Sequence, residues 1–297
     1  MVVHGPNPEE FITIEDCLIH RGDGSPPFQA NIVIKGQRIF HVGHDSPADG
    51  LTLNGRGLIA APGFIDVHNH TDQELSSSLG EELSYDRLDY SDRRCHNYIH
   101  QGVTTIITGN CGQGFVNSDA WRQLLIGNHF GTNIGHLIPY ESVREDELGR
   151  NHNEKALSRH SIDRLLRRID LEMAKGALGF SVAFDRVPGC YASTAELLEY
   201  AGVVAKYDRV FVMLIRNESG VGIIDSINEA IEIGRSTGAR IHLSQFRLYK
   251  PLLGISAQEI VSVVLRARRS GVEISASQNP YDSICSSFGP YWIGHLV

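Results

Sequence analysis

Two histidines two apart, His68 and His70, close the string Ala-Pro-Gly-Phe-Ile-Asp-Val-His-Asn-His at residues 61 to 70. In a β-strand, residues i and i+2 point to one face, so this spacing aims both imidazoles at one point. Phe64, Ile65 and Val67 give the stretch strand character, and Pro62 and Gly63 mark its approach. A third donor stands further on. Cys111 follows the apolar run that begins at Val103, in the string Gly-Asn-Cys-Gly. Two imidazoles and a thiolate are good zinc ligands, and a bound metal ion deprotonates the thiol. The glycines at 109 and 112 let backbone approach such a site closely.

These residues need a scaffold that brings distant strand ends together. Residues 1–60 read as a small β domain of short strands, with a hairpin where Asn31 to Lys35 passes through Gly36-Gln37 into Arg38 to Val42. His20, His41 and His44 lie here with no partner at ligand spacing and read as surface or packing residues. From residue 61 to 297 helices and strands alternate, which predicts right-handed βαβ units and a parallel sheet. Helices are expected over Tyr85–Gln101, Ala120–Gly127, Ile162–Lys175, Ser193–Tyr207, Gly222–Thr237 and Ser256–Ser270. Ser193 with Glu196 has the form of a capping box. Strands fall near residues 65, 106, 136, 179, 212, 242 and 274. The fold class is therefore α/β: an incomplete (β/α)8 barrel of about seven of eight units beside the small N-terminal β domain.

Composition narrows the partners. The formal net charge is −8, with Lys and Arg scattered, which argues against nucleic acid or an anionic membrane. No apolar run approaches a membrane span, and no basic-then-apolar leader opens the chain. Five widely spaced cysteines without a CxxC fit reduced thiols and a cytoplasmic setting.

In a barrel of this kind the chemistry gathers at the C-terminal ends of the strands. The strings quoted above, with Gly176-Ala-Leu-Gly-Phe-Ser, Tyr191-Ala-Ser-Thr-Ala-Glu-Leu and Ile215-Arg-Asn-Glu, resemble the D-aminoacylase (N-acyl-D-amino-acid deacylase) branch of the amidohydrolase superfamily. The resemblance runs from about residue 11 to the end. It implies a metal-bearing barrel with a small β-sandwich, one or two zinc ions, and hydrolysis of an N-acyl-D-amino acid to a carboxylate and a free D-amino acid. By position it implies His68, His70 and Cys111 as metal ligands, and Tyr191 and Arg247 at the substrate carboxylate.

The sequence also departs from that branch. Leu214 stands where the branch has histidine, and Ser244-Gln245-Phe246-Arg247 stands where it has Ser-His-x-Lys. The aspartate that would serve as general base belongs to an eighth strand, beyond Val297. Hydrolysis needs a base for the water proton and a metal to acidify that water. Impaired turnover is the expectation. The alternatives are a non-catalytic ligand- or partner-binding relative, or a fragment of a longer active enzyme that self-associates through its incomplete barrel. Glu218 and Asp282 read as surface carboxylates, Arg216 with Glu218 as a substrate contact or a salt-bridged loop, Asp66 as an orienting or capping group, and His242 as packed outside the barrel. His295 has no role.

Overall fold

A computed structural model describes residues 11–45, 50–72, 94–128, 130–217, 222–246 and 255–279. Glu218, Arg247, Asp282 and His295, and the start of the helix expected from Tyr85, lie outside the described residues. The chain divides into two compact units between Phe64 and Ile65.

The first unit is a five-stranded sheet of order β3-β2-β1-β4, with β5 also on β1. Its strands are β1 (Phe11–Ile19), β2 (Phe28–Lys35), β3 (Arg38–Gly43), β4 (Gly50–Asn54) and β5 (Ile59–Ala60). The hairpin forms as expected, with Lys35 opposite Arg38. Cys17, Ile19, Ala30 and Ile32 make its small core.

The second unit holds a seven-stranded sheet whose order follows the chain: β6 (Phe64–Asp66), β7 (Val103–Thr108), β8 (Asn133–Pro139), β9 (Gly179–Ala183), β10 (Val210–Leu214), β11 (Arg240–Leu243) and β12 (Ile274–Ala276). Pairing from β7 to β12 is parallel throughout. The helices are α1 (His96–Ile99), α2 (Ser118–Asn128), α3 (Tyr140–Leu148), α4 (Arg159–Ala174), α5 (Thr194–Lys206), α6 (Ile223–Thr237) and α7 (Ala257–Arg269). All seven strands stand where the apolar runs placed them.

Strand alternation builds two faces. Phe180, Val182, Phe211, Met213, Ile241, Leu243 and Ile274 join Leu165, Leu197, Ile227 and Ile260 of the helices in one core. At roughly 1.5–3 kcal/mol for each large side chain buried, this layer dominates the stability of the unit. The alternate residues Ser181, Val212, His242 and Ser275 lie opposite one another in register, on the other face. That face is the barrel interior. His242 was expected outside, and the structure corrects this: its ring nitrogens lie 2.9 Å from Ser275 Oγ and 3.0 Å from Ser277 Oγ.

Two further readings change. Ser193 caps α5 by accepting from the Glu196 N–H, but the Glu196 carboxylate accepts from the Tyr140 and Tyr200 hydroxyls and does not close the box. The closed capping box is at α7, between Ser256 and Glu259. Helix α3 was not foreseen. It starts on Pro139 with no side-chain cap, and the buried Arg144 anchors it by donating to Tyr140 Oη and the His152 and Glu154 carbonyls.

Candidate metal centre

Strand β6 ends at Asp66, and the turn beyond it carries both histidines. The Asp66 carboxylate accepts from the His68 N–H at 3.0 Å, so it fixes the turn. Asn69 donates across to the Ile107 carbonyl at 3.0 Å and ties this turn to the end of β7. Burial holds the His70 imidazole below its usual range, and the charge of Arg186 acts in the same direction.

Cys111 arrives from β7 on a strained turn. Its φ is +52°, the left-handed region that costs a non-glycine residue about 1–2 kcal/mol. Gly109 (φ +76°) and Gly112 (φ +67°) flank it in the same region, where glycine is at ease. The turn is held from several sides. The Ser181 hydroxyl donates to the Gly109 carbonyl and accepts from the Gly112 N–H at 3.1 Å. Asp72 accepts from the Gly109 N–H at 3.2 Å, and Asn110 donates to the Ile107 carbonyl at 2.7 Å. Backbone strain held by this many bonds is characteristic of functional sites.

The result is a convergence. One donor atom each from His68, His70 and Cys111 lie within 4.8 Å of one another. Cys111 Sγ is 3.5 Å from His68 Nε2. The ordinary Zn–N and Zn–S bond lengths in a tetrahedron put N and S about 3.6 Å apart. The second ring nitrogen, His68 Nδ1, lies 2.5 Å from Ser244 Oγ at the end of β11. A hydrogen bond of that kind fixes the ring and turns the other nitrogen, Nε2, toward Cys111. The donor types, their spacing and this support all fit zinc.

The two departures are visible in place. Leu214, at the end of β10, packs with Ala183 against Cys111. Gln245 turns inward with φ +51° and sets its amide 2.6 Å from His68 Nε2. Tyr191 lies in the 3-10 turn Gly189–Tyr191, with the Lys155 ammonium 5.8 Å from its ring centre. Arg216 is structural: it pairs with Glu229 at 2.9 Å, caps the Cys190 carbonyl at 3.0 Å and covers Phe184. Arg247 lies outside the described residues.

Sequence reasoning missed Ser181, Glu141 and Arg186. Glu141 is almost fully buried at the start of α3, and burial pushes its carboxyl up to about 8. Its Oε1 accepts from the Ala183 N–H at 3.1 Å, while Oε2 has no hydrogen-bond partner among the described residues. The slot it fills exists because residues 112 and 189 lack side chains: a Cβ there would fall 1.0 Å from Oε2 and 2.5 Å from Oε1. Arg186 follows β9 in the same loop as Tyr191, and its guanidinium interacts electrostatically with Cys111 and Glu141. The available signal was positional: a polar residue inside an apolar strand, and charged residues just past strand ends.

No family model matches the chain. Among curated proteins it is 28% identical over 295 residues to an N-acyl-D-glutamate deacylase of Alcaligenes xylosoxydans xylosoxydans, covering 91% of this chain and 57% of that protein. It is 25% identical over 284 residues to a D-aminoacylase of the same organism, covering 86% of this chain and 54% of the relative. The chain thus spans little more than half the length of these relatives. Among solved structures it superposes with a TM-score of 0.80 and 25% identity on N-acyl-D-glutamate deacylase from Bordetella bronchiseptica, complexed with zinc and a phosphonate inhibitor, over 92% of this chain and 59% of that one. A D-aminoacylase described as defining a subset of amidohydrolases shares the fold, at TM-score 0.74 and 22% identity, over 91% of this chain and 58% of that one. In sequence the chain is similar to deacylases of N-acyl-D-amino acids, and in fold it is similar to solved structures of such deacylases.

Proposed function

We propose that this chain carries the metal-bearing part of a hydrolase that cleaves the linear amide bond of N-acyl-D-amino acids. The observation that carries the reading is the convergence of His68, His70 and Cys111 within 4.8 Å at the ends of two adjacent strands. These three residues hold the zinc ion, with Ser244 orienting His68 and Ser181 holding the Cys111 turn. Bound zinc would acidify water and polarise the amide carbonyl. The chain's own residues present the donors, keep the His68 ring in one tautomer and bury one side of the site under Leu214 and Ala183. Tyr191 and Arg247 receive the substrate carboxylate. The substrate is a small molecule, and five widely spaced cysteines without a CxxC support a cytoplasmic setting. Among the described residues no helix is long and apolar enough to cross a membrane.

A second reading has its own support. Leu214 has no lone pair and packs directly on Cys111, which favours weakened turnover or a ligand-binding relative without chemistry. One experiment separates them. Zinc content of the purified chain is measured together with turnover of N-acetyl-D-amino acids. Near-stoichiometric zinc, with turnover abolished by His68→Ala, supports the hydrolase. Substrate binding without turnover supports the second reading, and neither metal nor turnover overturns the first.

A further inference from the structure

Arg186 is a cation at the strand ends, within electrostatic reach of His70 and Cys111. Asp185 engages one edge of its guanidinium: Nε donates to Oδ1 at 3.0 Å and Nη2 to Oδ2 at 3.3 Å. The end-on edge, Nη1 with the other Nη2 hydrogen, makes no hydrogen bond among the described residues. The side chain is 31% exposed, so it is neither sealed in the core nor fully solvated. Its place is fixed by the chain: β9 ends at Ala183, which packs on Cys111, and Arg186 follows in the loop that leads to Tyr191.

Burial pushes the nearby Glu141 carboxyl up to about 8, which weakens its claim on Arg186 as a counter-ion. Asp185 is exposed and already orients the guanidinium. Arginine offers a planar fork that matches a carboxylate through two parallel N–H bonds, and one such edge remains.

We propose that Arg186 is a carboxylate-binding residue of this site, receiving through its end-on edge a carboxylate of the N-acyl-D-amino acid whose amide lies at His68, His70 and Cys111. This deepens the proposed function and rests on it. The carboxylate is either the α-carboxylate or that of an acidic side chain.

The test uses the zinc-loaded chain with N-acetyl-D-glutamate, N-acetyl-D-leucine and N-acetyl-D-leucinamide, which lacks the α-carboxylate. Turnover and calorimetric binding are measured for wild type, Arg186→Gln and Arg186→Lys. Loss of a charge-assisted bidentate pair is expected to weaken binding by about tenfold or more, mainly in KM, with partial rescue by lysine. Loss confined to the glutamate substrate assigns the side-chain carboxylate. Loss for both acids but not for the amide assigns the α-carboxylate. Equal loss for all three, or binding within a factor of about two of wild type for all, overturns the inference while leaving the hydrolase reading standing. A wild type that neither binds nor turns over any of them overturns that reading and this one together. Wild-type zinc content in the variants shows that the fold is intact.

Discussion

Cys111 Sγ stands 3.5 Å from His68 Nε2, and the other nitrogen of that ring faces Ser244 Oγ. One imidazole therefore joins three elements: the turn after β6, the strained turn after β7 and the end of β11. His68→Ala and Cys111→Ser are expected to abolish tight zinc binding, because each leaves two donors where three are the minimum for such a site. Ser244→Ala keeps all three donors but frees the ring, and is expected to weaken zinc by about 10–100-fold. Competition with a chromophoric chelator measures both. Unchanged affinity in Ser244→Ala would show that the serine contact does not orient the ring.

The glycine at 112 is a packing requirement for Glu141 as well as a turn residue. A Cβ there meets Oε2 at 1.0 Å, and the residue has φ +67°. Gly112→Ala combines a left-handed penalty with an overpacked site, and is expected to cost about 2–5 kcal/mol in urea unfolding. Truncating the acid removes only the clash. Gly112→Ala with Glu141→Ala should therefore cost less than the sum of the two single changes. Strict additivity would show that the two side chains do not compete for the slot.

Glu141 also sets a pH dependence. Burial raises its folded-state pKa from the ordinary 4.5 to about 8. Between those values the unfolded chain has released the proton and the folded chain still holds it. The folded state binds more protons, so stability falls as pH rises through this window and levels off above about 8. The contribution is on the order of a few kcal/mol across the window. Glu141→Gln is expected to flatten the decline between pH 5 and pH 8, read from urea midpoints at several pH values. Parallel curves for wild type and variant would show that another group carries the dependence.

What was legible in the sequence, and what was not, follows from range. Strand positions could be read because apolar runs are local. The i, i+2 spacing of His68 and His70 was equally local, but β6 ends at Asp66 and both histidines stand in the turn beyond it, not on the strand. Facing was harder. His242 was assigned to the wrong side because its strand contains four residues, Arg240–Leu243, and the backbone reverses at Gln245, whose φ is +51°. Counting back in twos from Gln245 therefore gives the wrong face. Helix α3 escaped because it begins without a capping side chain, and Arg144 anchors it through contacts that form only on folding. Ser193 failed as a capping box for a related reason: two buried tyrosines, one of them on α3, claim the Glu196 carboxylate. Ser181 and Arg186 gave only a positional signal, since their meaning depends on which strand end they reach.

Leu214 gives the most direct test of what the site has become. It is 3% exposed and packs with Ala183 on Cys111, at the position where the resemblance to the deacylase branch implies a histidine. Leu214→His places an imidazole beside the thiol from a strand already in register with β9. The expected gain is in metal binding, since a fourth nitrogen or sulfur donor completes a tetrahedron. The expected cost is about 1–3 kcal/mol of stability in the metal-free chain, because a polar ring replaces an aliphatic side chain and must find a hydrogen-bond partner. The two effects have opposite signs and separate cleanly. Unfolding without metal should become easier, and unfolding with zinc should become harder than in wild type, because a ligand bound only by the folded state adds stability with its affinity. Cobalt substitution gives an independent readout, as added nitrogen and sulfur ligation changes the visible spectrum. If Leu214→His lowers stability with and without zinc and leaves the cobalt spectrum unchanged, the residue at 214 does not face the metal position, and the deacylase-like arrangement of this strand end must be abandoned.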